Sequence, residues 1–227
     1  MAAQTTGLTD AHYALSAAEC LVACGAFTAD FSRPRDRWFR WKSGIVAPCG
    51  CDCRRLIAFP AHRRLIADAL ADAIAGAFPA ADYIAGVAHG GIPWATAVAD
   101  RLGLPLAYVR AQPRAAGGPR VEGLPRRDVQ LRARAVVVDD VVASAGSVAQ
   151  AIRAIRDETG WLIAGVQSIA NWGFAEMRET LGEWPARALT SYPQVIDRAL
   201  AAGLIDDGQA VQLRHFYLNP RSHTWGV

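Results

Sequence analysis

Lysine is almost missing from this chain of 227 residues, although 24 of its side chains are lysine or arginine. Lys42 is the single lysine, and it follows Trp41 rather than a glycine. The phosphate-binding loop of P-loop NTPases requires a Gly-Lys-[Ser/Thr] sequence. This class of nucleotide-binding protein is therefore excluded.

The chain also lacks an uncharged apolar run of about 18 residues, the length that a membrane-spanning helix needs. Asp10 stands where a secretory signal would have basic residues followed by an apolar stretch. The net charge of +3 is too small to indicate a nucleic-acid partner by itself. We therefore expect a cytoplasmic protein that binds neither a membrane nor a nucleic acid.

The length favours one large domain with a small appendage, and 52% hydrophobic residues suffice for a buried core. We predict an N-terminal helix with a small hood of strands at residues 1–60. An α/β core should follow at residues 61–190, and a helical tail at residues 191–227.

The cysteines are odd in number, which argues against a disulfide framework. They are Cys20, Cys24, Cys49, Cys51 and Cys53. One alternative is a thiolate metal site, because the first two would share a helix face and the other three a strand face. No C-x-x-C pair is present, so we favour buried free thiols.

A basic stretch with interleaved aromatic residues runs from Arg33 to Lys42. Such a stretch could stack on the bases of a nucleic acid. Its side chains also alternate as in an ordinary amphipathic strand. We favour the strand.

The rest of the chain alternates between helical and strand periodicity. Helices are predicted at residues 9–24 (capped by Thr9), 61–77, 92–102, 147–159, 195–202 and 206–216. Strands are predicted at residues 82–88, 104–110, 134–140 and 162–170. Because these strands are apolar on both faces, we predict an α/β fold with a parallel sheet covered by helices on both sides. The irregular segment 111–133 is long enough to indicate a functional loop.

The segment 136–148, VVVDDVVASAGSV, carries the clearest chemistry. It predicts a buried strand that ends at Asp139 and Asp140, a short turn and the start of a helix. Ligands of open α/β sheets bind at such strand ends. Backbone N–H groups with Ser144 and Ser147 could hold a phosphate, while the two carboxylates accept hydrogen bonds from a ribose. A Walker B strand or a plain capped strand remains the alternative reading.

This segment resembles the 5-phosphoribosyl 1-pyrophosphate (PRPP) signature of type I phosphoribosyltransferases. Three further segments in chain order, 42–54, 85–93 and 104–110, resemble the orotate phosphoribosyltransferase family, and the likeness runs from about residue 10 to 185. It implies the type I fold and Mg²⁺-dependent transfer of ribose 5-phosphate from PRPP to a base, orotate by default, with release of pyrophosphate. It also implies that Mg²⁺ is bound through PRPP rather than by side chains, and that the protein is a homodimer.

The resemblance also assigns roles to individual residues. Asp139 and Asp140 would bind the ribose, and Arg114 stands at the position of the catalytic lysine. The other substrate-binding positions are Lys42 and Trp172 near the base, His89, Gly90, Gly91 and Arg110 at the pyrophosphate, and Ala143, Ser144, Ala145, Gly146 and Ser147 at the 5-phosphate.

Several positions depart from the family pattern. Ala111 and Ala116 replace a lysine and a histidine of the loop, and Arg114 keeps a charge but hardly releases a proton. Losing one preorganised donor costs roughly 2.7–4 kcal/mol of transition-state stabilisation. Gly50 removes an aromatic wall of the base pocket, which would leave room for a larger acceptor. The alternative function is therefore a catalytically impaired relative that binds PRPP or a nucleotide as a regulator.

Overall fold

The computed structural model describes residues 10–41, 43–113, 117–124 and 132–222, without the side chains of residues 10–16. The helices are α1 (Asp10–Ala23), α2 (Pro60–Ala77), α3 (Gly91–Leu102), α4 (Gly146–Thr159), α5 (Ala175–Leu181), α6 (Tyr192–Ala201) and α7 (Asp207–Leu218). The strands are β1 (Phe27–Ala29), β2 (Phe39–Arg40), β3 (Val46–Ala47), β4 (Cys49–Cys51), β5 (Tyr83–Val87), β6 (Leu106–Val109), β7 (Val121–Glu122), β8 (Arg134–Val142), β9 (Leu162–Asn171) and β10 (Ala186–Ser191). Two 3₁₀ segments span Arg35–Arg37 and Cys53–Ala58.

Six strands form the main sheet, in the order β10-β9-β8-β5-β6-β7. All neighbouring pairs are parallel except β6 and β7, which are antiparallel. Every residue of β5 is buried, as expected for a strand with helices on both sides.

Alternate side chains of β8 point into two separate apolar clusters. Val136 and Val138 pack with α2 and α3 on one face of the sheet. Ala135 and Val137 pack with α4 and α5 on the other face. The predicted α/β class, a largely parallel sheet with helices on both faces, is confirmed.

The first face of the sheet also carries the first and the last helices. Helix α1 packs against α6 and β10, and α7 packs against α6. Tyr192 and Phe216 are fully buried in the same cluster as α2 and α3. The expected helical tail is thus packed onto the N-terminal helix, and the division of the chain at residues 60 and 190 stays a prediction.

The predicted strand within residues 33–42 is wrong except for Phe39–Arg40. Pro34 precedes a 3₁₀ turn, and the indole N–H of Trp38 donates to the Arg33 carbonyl oxygen at 3.0 Å. The guanidinium of Arg35 lies 5.8 Å from the centre of the Trp38 ring. Local aromatic and hydrogen-bond contacts therefore override the alternating pattern.

The other predicted elements are present with ends shifted by a few residues, while the Thr9 cap lies outside the described residues. Helix α5 and strand β10 were not predicted, because β10 has partly exposed residues on both faces and α5 has only two turns. Among the described residues, no helix is long and apolar enough to cross a bilayer.

The close packing of β9 against Phe78, the residue that follows α2, leads to a prediction about stability. A methyl group at Gly165 would overlap the ring of Phe78 and lie 2.8 Å from the Pro185 carbonyl oxygen. We expect Gly165→Ala to lower the free energy of unfolding by about 1–3 kcal/mol, the usual cost of overpacking. Urea denaturation followed by circular dichroism measures this value.

Gly76→Ala is the matched control for this experiment. Gly76 is exposed in α2, with no atom within 4 Å of the new methyl group. It should leave the free energy of unfolding unchanged or raise it by up to about 1 kcal/mol through helix propensity. Equal effects of the two substitutions would contradict the packing argument.

Candidate active site

Asp139 and Asp140 lie inside β8 rather than at its end. The strand continues to Val142, which pairs with Asn171 of β9, so the predicted end at residue 140 is wrong. On the other side of β8, the pairing with β5 ends earlier, at Gly86 of β5 and Val138 of β8. The two carboxylates therefore lie where β8 extends beyond β5.

The turn after β5 occupies the space beside this extension. The peptide bond between Ala88 and His89 is cis, and Gly90 precedes the first residue of α3. A methyl group at Gly91 would overlap the Val138 carbonyl oxygen, and one at Gly90 would overlap the Asp140 carboxylate. Glycine is required at position 91, where the turn touches the backbone of β8, whereas a methyl group at position 90 would displace the Asp140 carboxylate.

Backbone hydrogen bonds hold both carboxylates in place. Asp139, only 5% exposed, accepts through Oδ1 from the Asp140 N–H at 2.9 Å, and Oδ2 lies 3.5 Å from the Ser147 hydroxyl. Asp140 accepts through Oδ1 from the Val141 N–H at 2.9 Å. Burial raises the pKa of the Asp140 carboxyl, and hydrogen bonds and the charge of Arg54 act in the opposite direction.

Arg54 and its partner Asp52 are site residues to which the sequence analysis gave no role. Asp52 Oδ1 accepts hydrogen bonds from the Arg54 backbone N–H at 3.3 Å and from its Nε at 2.6 Å. The charges of Asp52 and Asp140 contribute to raising the pKa of Arg54. The Asp-x-Arg spacing was a visible signal, but only the fold brings it to Asp140.

Helix α4 begins next to the acid pair. Ala145, which precedes the helix, has a left-handed backbone with φ of 62°, and no side chain among the described residues caps the helix. The N–H groups of the first turn have no partner within a helix, and with the helix dipole they favour an anion. Ser144 and Ser147 flank this helix start, as predicted.

The segment after β6 is held by carboxylate and guanidinium contacts at its base. Glu158 of α4 accepts 2.9 Å hydrogen bonds from the backbone N–H groups of Arg120 and Val121. Arg120 Nε donates to the Arg110 carbonyl oxygen at 3.1 Å, and Arg110 Nη1 lies 3.7 Å from Glu122 Oε1. The backbone of Arg110 is thus held by Arg120, and Glu158 of α4 holds Arg120 in turn.

The two cationic residues that the resemblance placed nearest to the reaction, Lys42 and Arg114, lie outside the described residues. The same holds for Ala116 in the loop. His89 is exposed at the turn after β5, while Arg110 lies at the base of the loop. The roles assigned to Lys42, Arg114, His89 and Arg110 therefore stay predictions.

Trp172 lies in an aromatic cluster beneath the hood rather than on an open surface. It is 3% exposed, meets the Tyr192 ring edge-on at 5.0 Å between ring centres, and lies 6.0 Å from Trp41. The Trp41 indole N–H donates to the Cys49 carbonyl oxygen at 3.0 Å. The side chain predicted to face the base is therefore part of the core.

The expected space above Gly50 is occupied. A methyl group there would lie 3.1 Å from the Phe39 ring, so this ring covers the position where the family has an aromatic wall. Next to it, the Cys49 sulfur lies 3.2 Å from the Tyr192 hydroxyl oxygen. Burial raises the pKa of the Cys49 thiol to about 12, so it stays protonated.

The fold brings together the acid pair, the double-glycine turn and the start of α4 at one edge of the sheet. A groove of about 570 Å³ at the opposite edge is lined by Phe78, Arg134 and Trp184, among others. It is formed by the amino ends of the strands, whereas ligands of such sheets bind at the carboxyl ends. We therefore place the candidate active site at the acid pair.

Comparisons with known proteins identify the family and the fold. A family model described as a phosphoribosyl transferase domain matches residues 56–164. The orotate phosphoribosyltransferase of Bacillus caldolyticus is 39% identical over 91% of this chain and 96% of its own.

Solved structures share the fold. Orotate phosphoribosyltransferase from Aeropyrum pernix has a TM-score of 0.65 at 26% identity, over 80% of this chain and 98% of its own. Leishmania donovani UMP synthase has a TM-score of 0.71 at 24% identity, over 90% of this chain. The present chain spans only 42% of the UMP synthase chain.

The raised pKa of Asp140 leads to a pH-dependent prediction. The folded protein binds this proton more tightly than the unfolded chain, so stability falls as pH rises through the interval between the two pKa values. Asp140→Asn removes the buried charge and keeps an oxygen for the Val141 N–H. We expect Asp140→Asn to raise the free energy of unfolding above that of the unchanged protein, and to do so more at about pH 7 than at about pH 4.

Denaturant titrations at both pH values measure this gain. Asp100→Asn, which removes an exposed carboxylate of α3, is the control. It should show little difference between the two conditions. A gain from Asp140→Asn that is equal at both pH values would contradict the assignment of the raised pKa.

Proposed function

Because this chain belongs to the orotate phosphoribosyltransferase family, we propose that it transfers the 5-phosphoribosyl group of PRPP to orotate and releases pyrophosphate. The reaction breaks the bond between the anomeric carbon and the pyrophosphate oxygen. A bond from that carbon to a ring nitrogen of orotate replaces it, and this nitrogen releases its proton. The products are a nucleoside 5′-monophosphate and pyrophosphate.

One observation carries the proposal: the buried Asp139 and the half-buried Asp140 lie beside the start of α4, which no described side chain caps. The Ser147 hydroxyl, in the first turn of α4, is 3.5 Å from Asp139 Oδ2. A ribose 5-phosphate presents hydroxyl donors at one end and a dianion at the other. The carboxylates match the first and the helix N-terminus matches the second.

The proposal gives each part of the site a task. Asp139 and Asp140 would accept hydrogen bonds from the ribose hydroxyls and stabilise positive charge that develops on the sugar ring. The segment Ala143–Ser147 would hold the 5-phosphate, with backbone N–H groups where the family has hydroxyl side chains. The His89–Gly91 turn and Arg110 would meet the pyrophosphate.

Mg²⁺ fits this site as part of the substrate complex. The donors near the ribose position are carboxylate oxygens, which Mg²⁺ accepts readily together with phosphate oxygens. Within the described residues, no group of three or more potential ligands could hold a metal ion by itself. We therefore expect the ion to arrive with PRPP and to neutralise the leaving pyrophosphate.

Two features of the loop limit the mechanism to charge stabilisation. Arg114 would place a permanent positive charge near the pyrophosphate, because a guanidinium does not give up a proton to the reaction at neutral pH. Ala111 has no donor. In this proposal the enzyme is slower than a relative with a full set of loop donors, and it acts as a homodimer in the cytoplasm.

Purified protein with Mg²⁺, PRPP and orotate tests the proposal. We expect pyrophosphate release and nucleotide formation that require both substrates, followed by coupled absorbance and chromatography. Replacing both Asp139 and Asp140 by Asn should abolish turnover, while Asp100→Asn should not. PRPP binding without turnover on orotate or on any other base would instead favour the regulatory alternative.

The turn after β5 provides a second, sharper test. Gly90→Ala adds a methyl group that overlaps the Asp140 carboxylate, which must then turn away from its present position. We expect the KM for PRPP to rise about 10-fold or more, the cost of one charge-assisted hydrogen bond. The KM for orotate should change less.

Gly76→Ala is again the control, because it adds the same methyl group outside the site. Steady-state kinetics with each substrate varied in turn separates the two KM values. An unchanged KM for PRPP in the Gly90→Ala variant would overturn the ribose assignment of Asp140.

A further inference from the structure

Two thiols face each other beside the acid pair of β8. The sulfur atoms of Cys51 and Cys53 are 3.7 Å apart, and both cysteines are free. Cys53 is fully buried, whereas Cys51 is partly exposed. The proposed reaction uses neither thiol.

The local backbone explains why residues two positions apart meet. Cys51 is the last residue of β4, and Asp52 leaves the extended region with φ of −108° and ψ of 83°. Cys53 then begins the 3₁₀ helix. In a continued strand the side chains of Cys51 and Cys53 would point the same way but lie further apart. The turn brings the two sulfur atoms into contact.

The pair also touches the catalytic edge of the sheet. The 3₁₀ helix Cys53–Ala58 packs against β8. The negative charge of Asp140 is close enough to contribute to the raised pKa of the Cys53 thiol. Arg54, the next residue, is held by Asp52 on the same short segment. A covalent change at the thiols therefore reaches the position of Arg54 relative to Asp140.

We propose that Cys51 and Cys53 form a reversible oxidative modification site, in which a peroxide converts the two thiols into a disulfide. The partly exposed Cys51 is the residue that peroxide can reach. The buried Cys53 is the residue that then reacts with the oxidised Cys51 to form the disulfide. Formation of the disulfide does not depend on the proposed function. Its effect on the KM for PRPP rests on that function.

The chemistry balances in two steps. The Cys51 sulfur attacks one peroxide oxygen and the O–O bond breaks, giving a sulfenic acid and one water. The Cys53 sulfur then attacks the Cys51 sulfur, the S–O bond breaks, and the hydroxyl leaves as a second water with the thiol proton. The two thiols lose two electrons, and the peroxide is reduced to water. A dithiol reductant reverses the change by thiol–disulfide exchange.

Neighbouring groups set the order of these steps. The hydrogen bond with Cys51 and burial raise the pKa of the Cys53 thiol well above its usual range, so Cys53 is a poor first nucleophile. Closing the pair requires the sulfur atoms to approach from 3.7 Å to about 2 Å. That movement draws the start of the 3₁₀ helix towards β4 and shifts Arg54.

Peptide mapping tests the modification without any assay of activity. The full-length protein is treated with hydrogen peroxide, its remaining thiols are alkylated, and it is digested with trypsin. The peptide 43–54 contains Cys49, Cys51 and Cys53. We expect it to carry one alkyl group, on Cys49, and two hydrogen atoms fewer than the same peptide with two free thiols, with fragmentation assigning the bond to Cys51 and Cys53. Reduction with dithiothreitol before alkylation should give the peptide with three alkyl groups.

Three variants make the result decisive. Cys51→Ser should abolish the crosslink, and Cys53→Ala should leave a sulfenic acid on Cys51 that a dimedone probe captures. Cys24→Ser, which changes another buried thiol, should leave the crosslink intact. A disulfide that uses Cys24 or Cys49, or a peptide that stays fully reduced or only overoxidised, would overturn the proposal.

The functional effect has its own measurement. We expect the oxidised protein to show a KM for PRPP raised at least about 10-fold, corresponding to one lost charge-assisted contact at Asp140. Dithiothreitol should restore the original value, and Cys51→Ser should be insensitive to peroxide. Crosslinking with unchanged kinetics would overturn the effect on the site, and crosslinking of an inactive protein would count against the proposed function alone.

Discussion

The approach of the turn after β5 to the backbone of β8 is the constraint on which the rest of the site depends. β8 extends past β5, and Gly91 lies directly against the Val138 carbonyl oxygen beside this extension. Any side chain at that position would separate the turn from the strand. The contact places the start of α3 beside Asp140 and leaves the far side of β8 paired with β9. One sterically tight turn thus determines both where the carboxylates lie and what surrounds them.

The same geometry creates an electrostatic cost that the protein offsets locally. Asp139 and Asp140 are adjacent in β8, and burial raises the pKa of the Asp140 carboxyl and so disfavours its charged form. Backbone N–H groups and the nearby guanidinium of Arg54 reduce this cost without removing it. Retaining a carboxylate whose charged form is disfavoured by burial is expected of a site that binds a ligand with matching donors. The stability of the free protein and its function are therefore opposed at Asp140.

Strands β5, β6, β8 and β9 could be predicted from the sequence because their segments are apolar on both faces, whereas β7 and β10 of the same sheet could not. The end of β8 could not, since polarity suggests a stop at Asp140 while pairing with β9 continues to Val142. A hood of strands was predicted at residues 1–60, but the bounds of its strands could not be, because strands of two or three residues carry no period and contacts to distant aromatic rings hold them.

Within the candidate site, local motifs were predictable and distant supports were not. The acid pair, the double glycine and the serine-rich turn are contiguous segments whose chemistry is visible in the sequence. The burial of Trp172 against Tyr192 depends on helix α6, and no local pattern reveals it. The carboxylate of Glu158, which binds the Arg120 N–H, is 38 residues away in sequence.

These distant supports matter most for a loop with few donors. When alanines replace proton-carrying side chains, the remaining contribution is fixed charge, and fixed charge stabilises a transition state only from a defined position. Arg110 is placed by strand pairing, by Arg120 on its carbonyl oxygen and by Glu122 near its guanidinium. Glu158 fixes Arg120 in turn through the backbone. The chain therefore combines a loop sequence with few proton donors and a loop base that β7 and α4 hold through hydrogen bonds.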